Sequence, residues 1–240
     1  MILQRGREES IVCRLEDETE IVMKNVIFGL ASFFLAAFAF GFGAAKLFRK
    51  RKPMYLQLLV CAAGCFAIEQ LSYVVNLWCN VTAAVSIGMI GIFGCNFFLL
   101  SANLGTLDRI VDDGKGSGKA RAGAVCALVV TAALAMATFF AWKNRDMFCA
   151  VMWFVMLIPA LPASFFNLKH ILLPMDPFAL LRATKPCNIA ALVFYILTAV
   201  YGISLATMEG TVSGILSVLM SLSVLALVLC AVKGARQWGI

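Results

Sequence analysis

The chain has 240 residues, 62% of them hydrophobic and 14% charged, with a mean hydropathy of +0.92. A soluble domain carries roughly a quarter charged residues, and here the apolar residues come in runs of about 20, the length that crosses a hydrocarbon core about 30 Å thick; a soluble fold is excluded. The formal net charge of +7 lies in short segments between those runs, without the interleaved aromatics that track a phosphate backbone, which excludes nucleic acid as a partner.

The first segment, MILQRGREESIVCRLEDETEIVMK, is no signal peptide, having an acidic stretch where a basic one is required and no apolar centre. Residues 1–25 read as a short acidic extension, and Met23 is an alternative start that would leave 1–22 outside the protein. A single domain over 26–232 follows, with apolar spans at about 26–45, 54–77, 81–104, 122–142, 147–168, 187–207 and 211–232, and a stub at 233–240. Helices alone satisfy their own backbone in lipid without closing into a barrel. The prediction is therefore an all-α integral membrane protein, a compact bundle of seven antiparallel transmembrane helices joined by short connections.

Alternate connections differ in charge. Lys46, Arg49, Lys50, Arg51, Lys52, Arg109, Lys115, Lys119, Arg121, Lys169, Arg182, Lys185, Lys233 and Arg236 fall on one side, 14 in all, against 6 on the other. The positive-inside rule puts the 14 in the cytoplasm, hence the N-terminus outside and the C-terminus inside a plasma or inner membrane.

The second span contains CFAIEQLSYVVNLWC, and its Glu69 is the one acidic or basic residue well inside any span. Burying an ionised carboxylate there is costly, so Glu69 must face the bundle interior or water, find donors, or hold a proton. At helical spacing Glu69, Ser72, Tyr73 and Asn76 share a face, which Cys61 and Cys65 continue inward. Asn96 and Asn103 in the third span, Tyr195, Thr198 and Tyr201 in the sixth, and Ser213, Ser217 and Ser221 in the seventh are candidate partners at similar depth. The expected site is a polar cavity between spans two, three, six and seven that binds a proton, a cation or a small ligand through Glu69, Tyr73, Asn76, Asn96, Tyr195, Thr198 and Ser217. The competing reading is interhelical hydrogen bonding, which Asn, Ser and Thr commonly supply in membranes.

Small residues at Ala37, Gly41 and Ala45 in the first span, and at Ala84, Gly88, Gly91 and Cys95 in the third, predict close helix packing. In the fifth span Pro159 and Pro162 each remove an N–H and free a carbonyl one turn back, which predicts a kink and a candidate hinge. Asp176 followed by Pro177 predicts the start of a short interfacial helix through Arg182.

Most motifs fail on inspection. DGKGSGKA (113–120) has three residues between Gly114 and Gly118 where a phosphate-binding loop needs four, and Ala120 stands where that loop needs Ser or Thr. The seventh span has no lysine for a retinal Schiff base, and Asp108-Arg109 at the end of the third is ordinary for a helix terminus. The nine cysteines include no C-x-x-C pair, and the lone His170 sits at a span end, so no metal site and no cofactor is expected. Cys79 and Cys149, both at the predicted outer surface, form a candidate disulfide, with Cys13 competing.

Without a nucleophile–base pair no enzyme is predicted. The function expected is a small-solute or ion transporter working through Glu69. The alternative is a seven-helix sensory or ligand-binding protein that signals through a cytoplasmic or membrane protein partner, docked at 105–121 and 169–186.

Overall fold

A computed structural model describes residues 2–48, 53–79, 87–104, 117–173, 180–207 and 210–237, with side chains except at 2–22, 87, 117, 180–182 and 236–237. The described residues form eight helical segments and no strand: α1 (Ile2–Leu47), α2 (Met54–Trp78), α3 (Ile87–Ala102), α4 (Ser117–Lys143), α5 (Met147–Leu157), α6 (Ala160–Leu172), α7 (Leu180–Thr207) and α8 (Gly210–Gln237). Helices α5 and α6 are the two halves of one apolar stretch, Met147–Leu172. Six stretches are long and apolar enough to cross a membrane, and α3 contributes a shorter one, Gly88–Ala102. This is the architecture of a polytopic helical membrane protein.

Two boundaries differ from expectation. Helix α1 runs back through the acidic extension; its 46 residues measure about 69 Å, of which Met23–Leu47 is the apolar part. The interfacial helix expected through Arg182 is not separate where it is described. Residues 180–182 are the first turn of α7, which passes through Pro186 at the cost of one carbonyl's backbone partner. Asp176, Pro177, Asp108, Ala84, residues 113–116 of DGKGSGKA, and Arg49, Lys50, Arg51, Lys52, Arg109 and Lys115 among the basic residues that set orientation lie outside the described residues.

Each span packs on two neighbours, and together they close a ring. From α1 the order is α2, α3, the α5–α6 pair, α4, α7 and α8, with α8 returning to α1. Contacts of α2 with α8 and of α6 with α7 cross the interior. The core between them holds Phe66 against Phe194, edge to face with centroids 5.3 Å apart, and Trp153 against Tyr201 at 6.1 Å. The outer surface carries Phe34, Phe38, Phe97, Phe140 and Ile196 exposed, which in water would be a severe liability and in lipid is the expected coat.

The small-residue prediction for the first span is off by a rotation. The face of α1 that packs is Gly29, Ser32, Ala36, Ala39 and Gly43, all buried. Gly41 and Ala45 are exposed, and a side-chain carbon at Gly41 would meet nothing within 4 Å. A run in which nearly every residue is Ala, Gly or Phe offers several small-residue stripes of equal quality, and only the partner helix selects one. On α3 the prediction stands, since an added carbon at Gly91 would fall 2.6 Å from the Cys65 carbonyl oxygen and 2.7 Å from Glu69 Cβ. Here α2 and α3 touch backbone to backbone, at the level of Glu69.

The expected kink is present as a break. Pro159 cannot donate to Val155, whose carbonyl instead takes the Ile158 N–H at 3.2 Å; Pro162 cannot donate to Ile158, whose carbonyl takes the Leu161 N–H at 3.2 Å. Two tighter turns replace α-helical ones between α5 and α6. From the neighbouring α3, Asn96 Nδ2 donates to the Met156 carbonyl oxygen beside this break at 3.0 Å.

Candidate functional site

Glu69 lies three residues past the middle of α2, about 4.5 Å along the axis, and is 4% exposed. Its hydrogen-bond partner is its own neighbour: Gln70 Nε2 donates to Glu69 Oε2. Adjacent residues on a helix point about 100° apart, so the two side chains serve different sides of α2. Gln70, 1% exposed, faces α8 and α1. Its Oε1 accepts from Ser217 Oγ at 2.8 Å, and Ser217 lies 3.0 Å from Ser32 Oγ.

Glu69 instead borders a cavity of about 250 Å³, which Tyr73 and Asn76 on α2, Gly88, Met89 and Ile92 on α3, Trp142 on α4, Cys149 and Trp153 on α5, and Tyr201 and Leu205 on α7 also line. The cavity occupies the half of the bundle where α2, α4 and α7 end and α5 begins. Tyr73, Asn76, Trp142 and Leu205 are half-buried at its rim, whereas Glu69, Trp153 and Tyr201 form its buried floor. Among the described residues no Lys, Arg or His lines it. The indole N–H of Trp153 is buried and has no acceptor among the described residues.

The walls are fixed by bonds that bypass the cavity. Trp142 Nε1 donates to the Gly202 carbonyl oxygen at 2.9 Å, and Thr138 Oγ1 reaches the Ala199 carbonyl oxygen at 3.3 Å, which ties α4 to α7. Arg145 donates to the Ala206 carbonyl oxygen at the same end. Ser72 Oγ accepts the Gly88 N–H at 3.1 Å and so holds the start of α3 against α2. Asp146, outside the spans, caps α5 by accepting the N–H groups of Phe148 at 2.9 Å and Cys149 at 3.1 Å. Those bonds, Cys149's first, hold its carboxyl below the usual range.

Of the seven predicted ligand residues, Glu69, Tyr73 and Asn76 come together at the cavity, and the others do not line it. Asn96 is turned to the broken helix. Thr198 donates to the Phe194 carbonyl oxygen one turn back at 2.8 Å. Ser217 reaches the site only through Gln70. Tyr195 belongs to a second polar cluster nearer the other end. There Asn103 Nδ2 donates to Asn167 Oδ1 at 2.8 Å, Asn167 Nδ2 reaches the Tyr195 hydroxyl at 3.4 Å, and His170 Nδ1 lies 3.3 Å from Asn103 Oδ1. The cavity walls are therefore spans two to six, not two, three, six and seven, because α8 packs against the Gln70 side of α2, away from the cavity.

Cys79 and Cys149 are not joined by a disulfide: Cys79 is an exposed thiol at the end of α2, and Cys149 is a buried one on the cavity wall. No group of three or more His, Cys, Asp or Glu suited to a metal ion occurs among the described residues. Gln70, Trp142 and Trp153 are the site residues that the sequence reading passed over. Gln70 is an amide inside a span and was visible as such, whereas the two tryptophans are indistinguishable from lipid-facing aromatics without the helix rotation. Comparison with protein-family models, with curated proteins and with solved structures finds no match for this chain.

Proposed function

We propose that this protein is a transporter of a small solute or ion and not an enzyme, with Glu69 as the group that takes up a proton or the cationic part of the cargo. One observation carries the reading. A carboxylate deep in the bundle has a neutral amide as its hydrogen-bond partner and borders a 250 Å³ space, an arrangement that costs stability and is kept where charge must be handled inside a membrane. The broken α5–α6 span, whose first half carries Trp153 on the cavity wall, supplies the element that Pro159 and Pro162 allow to bend. The charge pattern of the connections favours a plasma or inner membrane with the N-terminus outside, so that the cavity faces the exterior half.

The test is flux. The full chain in proteoliposomes, challenged with gradients of inorganic cations, amines and small neutral solutes, is expected to move at least one of them with a coupled change in internal pH. Glu69→Gln is expected to abolish that coupling while leaving the melting temperature near that of the wild type. Binding without flux for any of these would overturn the transporter reading in favour of a sensor that uses the same cavity and signals through a partner protein.

A further inference from the structure

We propose that the cavity binds a small organic ammonium ion, held between the Glu69 carboxylate and an aromatic wall. The inference rests on the transport reading above and names its cargo class. Four aromatic side chains line the space, Tyr73, Trp142, Trp153 and Tyr201, and all four are of the electron-rich kinds whose ring faces attract cations. Half of the chain's four tryptophans and half of its four tyrosines thus converge on one space beside Glu69, the one buried carboxylate among the described residues. Trp153 and Tyr201 stand edge to face at 6.1 Å, so their faces point in different directions, as the walls of a box do.

The donor set argues against the other cargo classes. An anion would meet a carboxylate and no basic side chain on the lining. A hard metal cation takes about six to eight oxygen ligands, and the lining side chains offer one carboxylate, one amide and two phenols. A sugar would need hydrogen-bonding groups on most sides, whereas Met89, Ile92 and Leu205 make the remaining wall apolar. Size agrees as well: 250 Å³ lies just below the roughly 300–1,000 Å³ of drug-sized pockets and equals the liquid volume of about eight waters. A compact alkylammonium or arylalkylamine fits.

The experiment is equilibrium binding to the full chain in lipid nanodiscs, with radiolabelled choline, tetramethylammonium and phenethylamine as probes and 3,3-dimethylbutan-1-ol as the neutral isostere of choline. At least one ammonium should bind saturably, and the neutral isostere should compete at least 10-fold more weakly than choline. Glu69→Gln should weaken the bound ammonium 10-fold or more. Trp153→Leu should weaken it roughly 2- to 30-fold, the span of one cation–π contact, with Trp153→Phe in between. The comparison of choline with its isostere uses the wild-type chain and stands even if a variant fails to fold. Equal affinity for both, or no binding of any ammonium by a chain that moves protons, sodium or a neutral solute in liposomes, overturns the ammonium assignment and leaves the transport reading intact. Absence of both binding and flux overturns the two together.

Discussion

The contact of α2 with α3 at Gly91 gives the sharpest test of how the site is built. A methyl group added there would sit 2.6 Å from the Cys65 carbonyl oxygen, 2.7 Å from Glu69 Cβ and 2.9 Å from the Glu69 backbone nitrogen. Ordinary contact begins at 3.4 Å, so the two helices must separate by about 0.8 Å. Two of the three atoms are backbone, so no rotamer change relieves the clash. Overpacking of this kind costs about 1–3 kcal/mol, against which the better helix propensity of Ala returns at most about 1 kcal/mol. Gly41→Ala is the matched control, because its new methyl meets nothing within 4 Å and keeps only the propensity gain. Unfolding of both variants in mixed micelles should show Gly91→Ala destabilised and Gly41→Ala equal to or above the wild type. Ammonium binding should fall in the first alone, since the displaced backbone carries Glu69. If Gly91→Ala is as stable as Gly41→Ala, the backbone contact is not made, and the position assigned to Glu69 fails with it.

Three further outcomes follow from the bonds around the site. Gln70→Leu removes one of Ser217's two partners and Glu69's donor, and should cost about 1–2 kcal/mol in the same unfolding assay, with Ser217→Ala costing less in that background than in the wild type because only the Ser32 bond is left to lose. Replacing Pro159 alone by Ala leaves the Pro162 break in place, so a label-to-label distance across Met147–Leu172 should lengthen only in the double variant Pro159→Ala/Pro162→Ala; lengthening in the single variant would locate the whole break at Pro159. Asp146, whose carboxyl is held below its usual value of 3.8 by the N–H groups it caps, contributes stability that is present above about pH 4 and is lost as the pH falls through its lowered folded value. The melting temperature should therefore drop on acidification below pH 4, and drop less in Asp146→Ala; equal slopes would mean that the cap contributes nothing.

Much of the architecture is legible in composition because lipid imposes a single length and a single periodicity on every span. The break at Pro159 and Pro162 is equally direct, since an imino acid removes a donor wherever it stands. Positions around each helix axis are less legible. In a soluble helix a polar stripe marks the outside, but here both faces are apolar, and the small-residue stripes of α1 tie until the partner is known. The same uncertainty hid Trp142 and Trp153 and placed Asn96, Thr198 and Ser217 at a cavity that they do not line. Glu69, Tyr73 and Asn76 were found because a polar stripe inside a span is rare enough to identify itself. Neighbour order is the other loss: short connections suggest sequential packing, yet α4 sits between α7 and the α5–α6 pair, an arrangement that no local signal encodes.

The hydrogen-bond chain behind Glu69 has a direction, and the count of protons sets it. Ser217 has one hydroxyl proton and two neighbours, Gln70 Oε1 at 2.8 Å and Ser32 Oγ at 3.0 Å. With that proton given to Gln70, Ser32 must donate to Ser217, and Gln70 donates its N–H to Glu69. Every donor then points from α1 through α8 to the carboxylate, which in its ionised form can only accept. A protonated Glu69 can reverse the order. Turning the Gln70 amide over presents Oε1 to the new carboxyl proton and Nε2 to Ser217, whose own proton then passes to Ser32. Both arrangements keep the Glu69–Gln70, Gln70–Ser217 and Ser217–Ser32 bonds, and an amide flip interconverts them. Gln70 therefore gives Glu69 a partner in either protonation state, which a fixed donor such as Lys or Arg would not. A carboxylate that is to exchange a proton for a cationic cargo needs such a neighbour, and a carboxylate kept only to hold helices together does not.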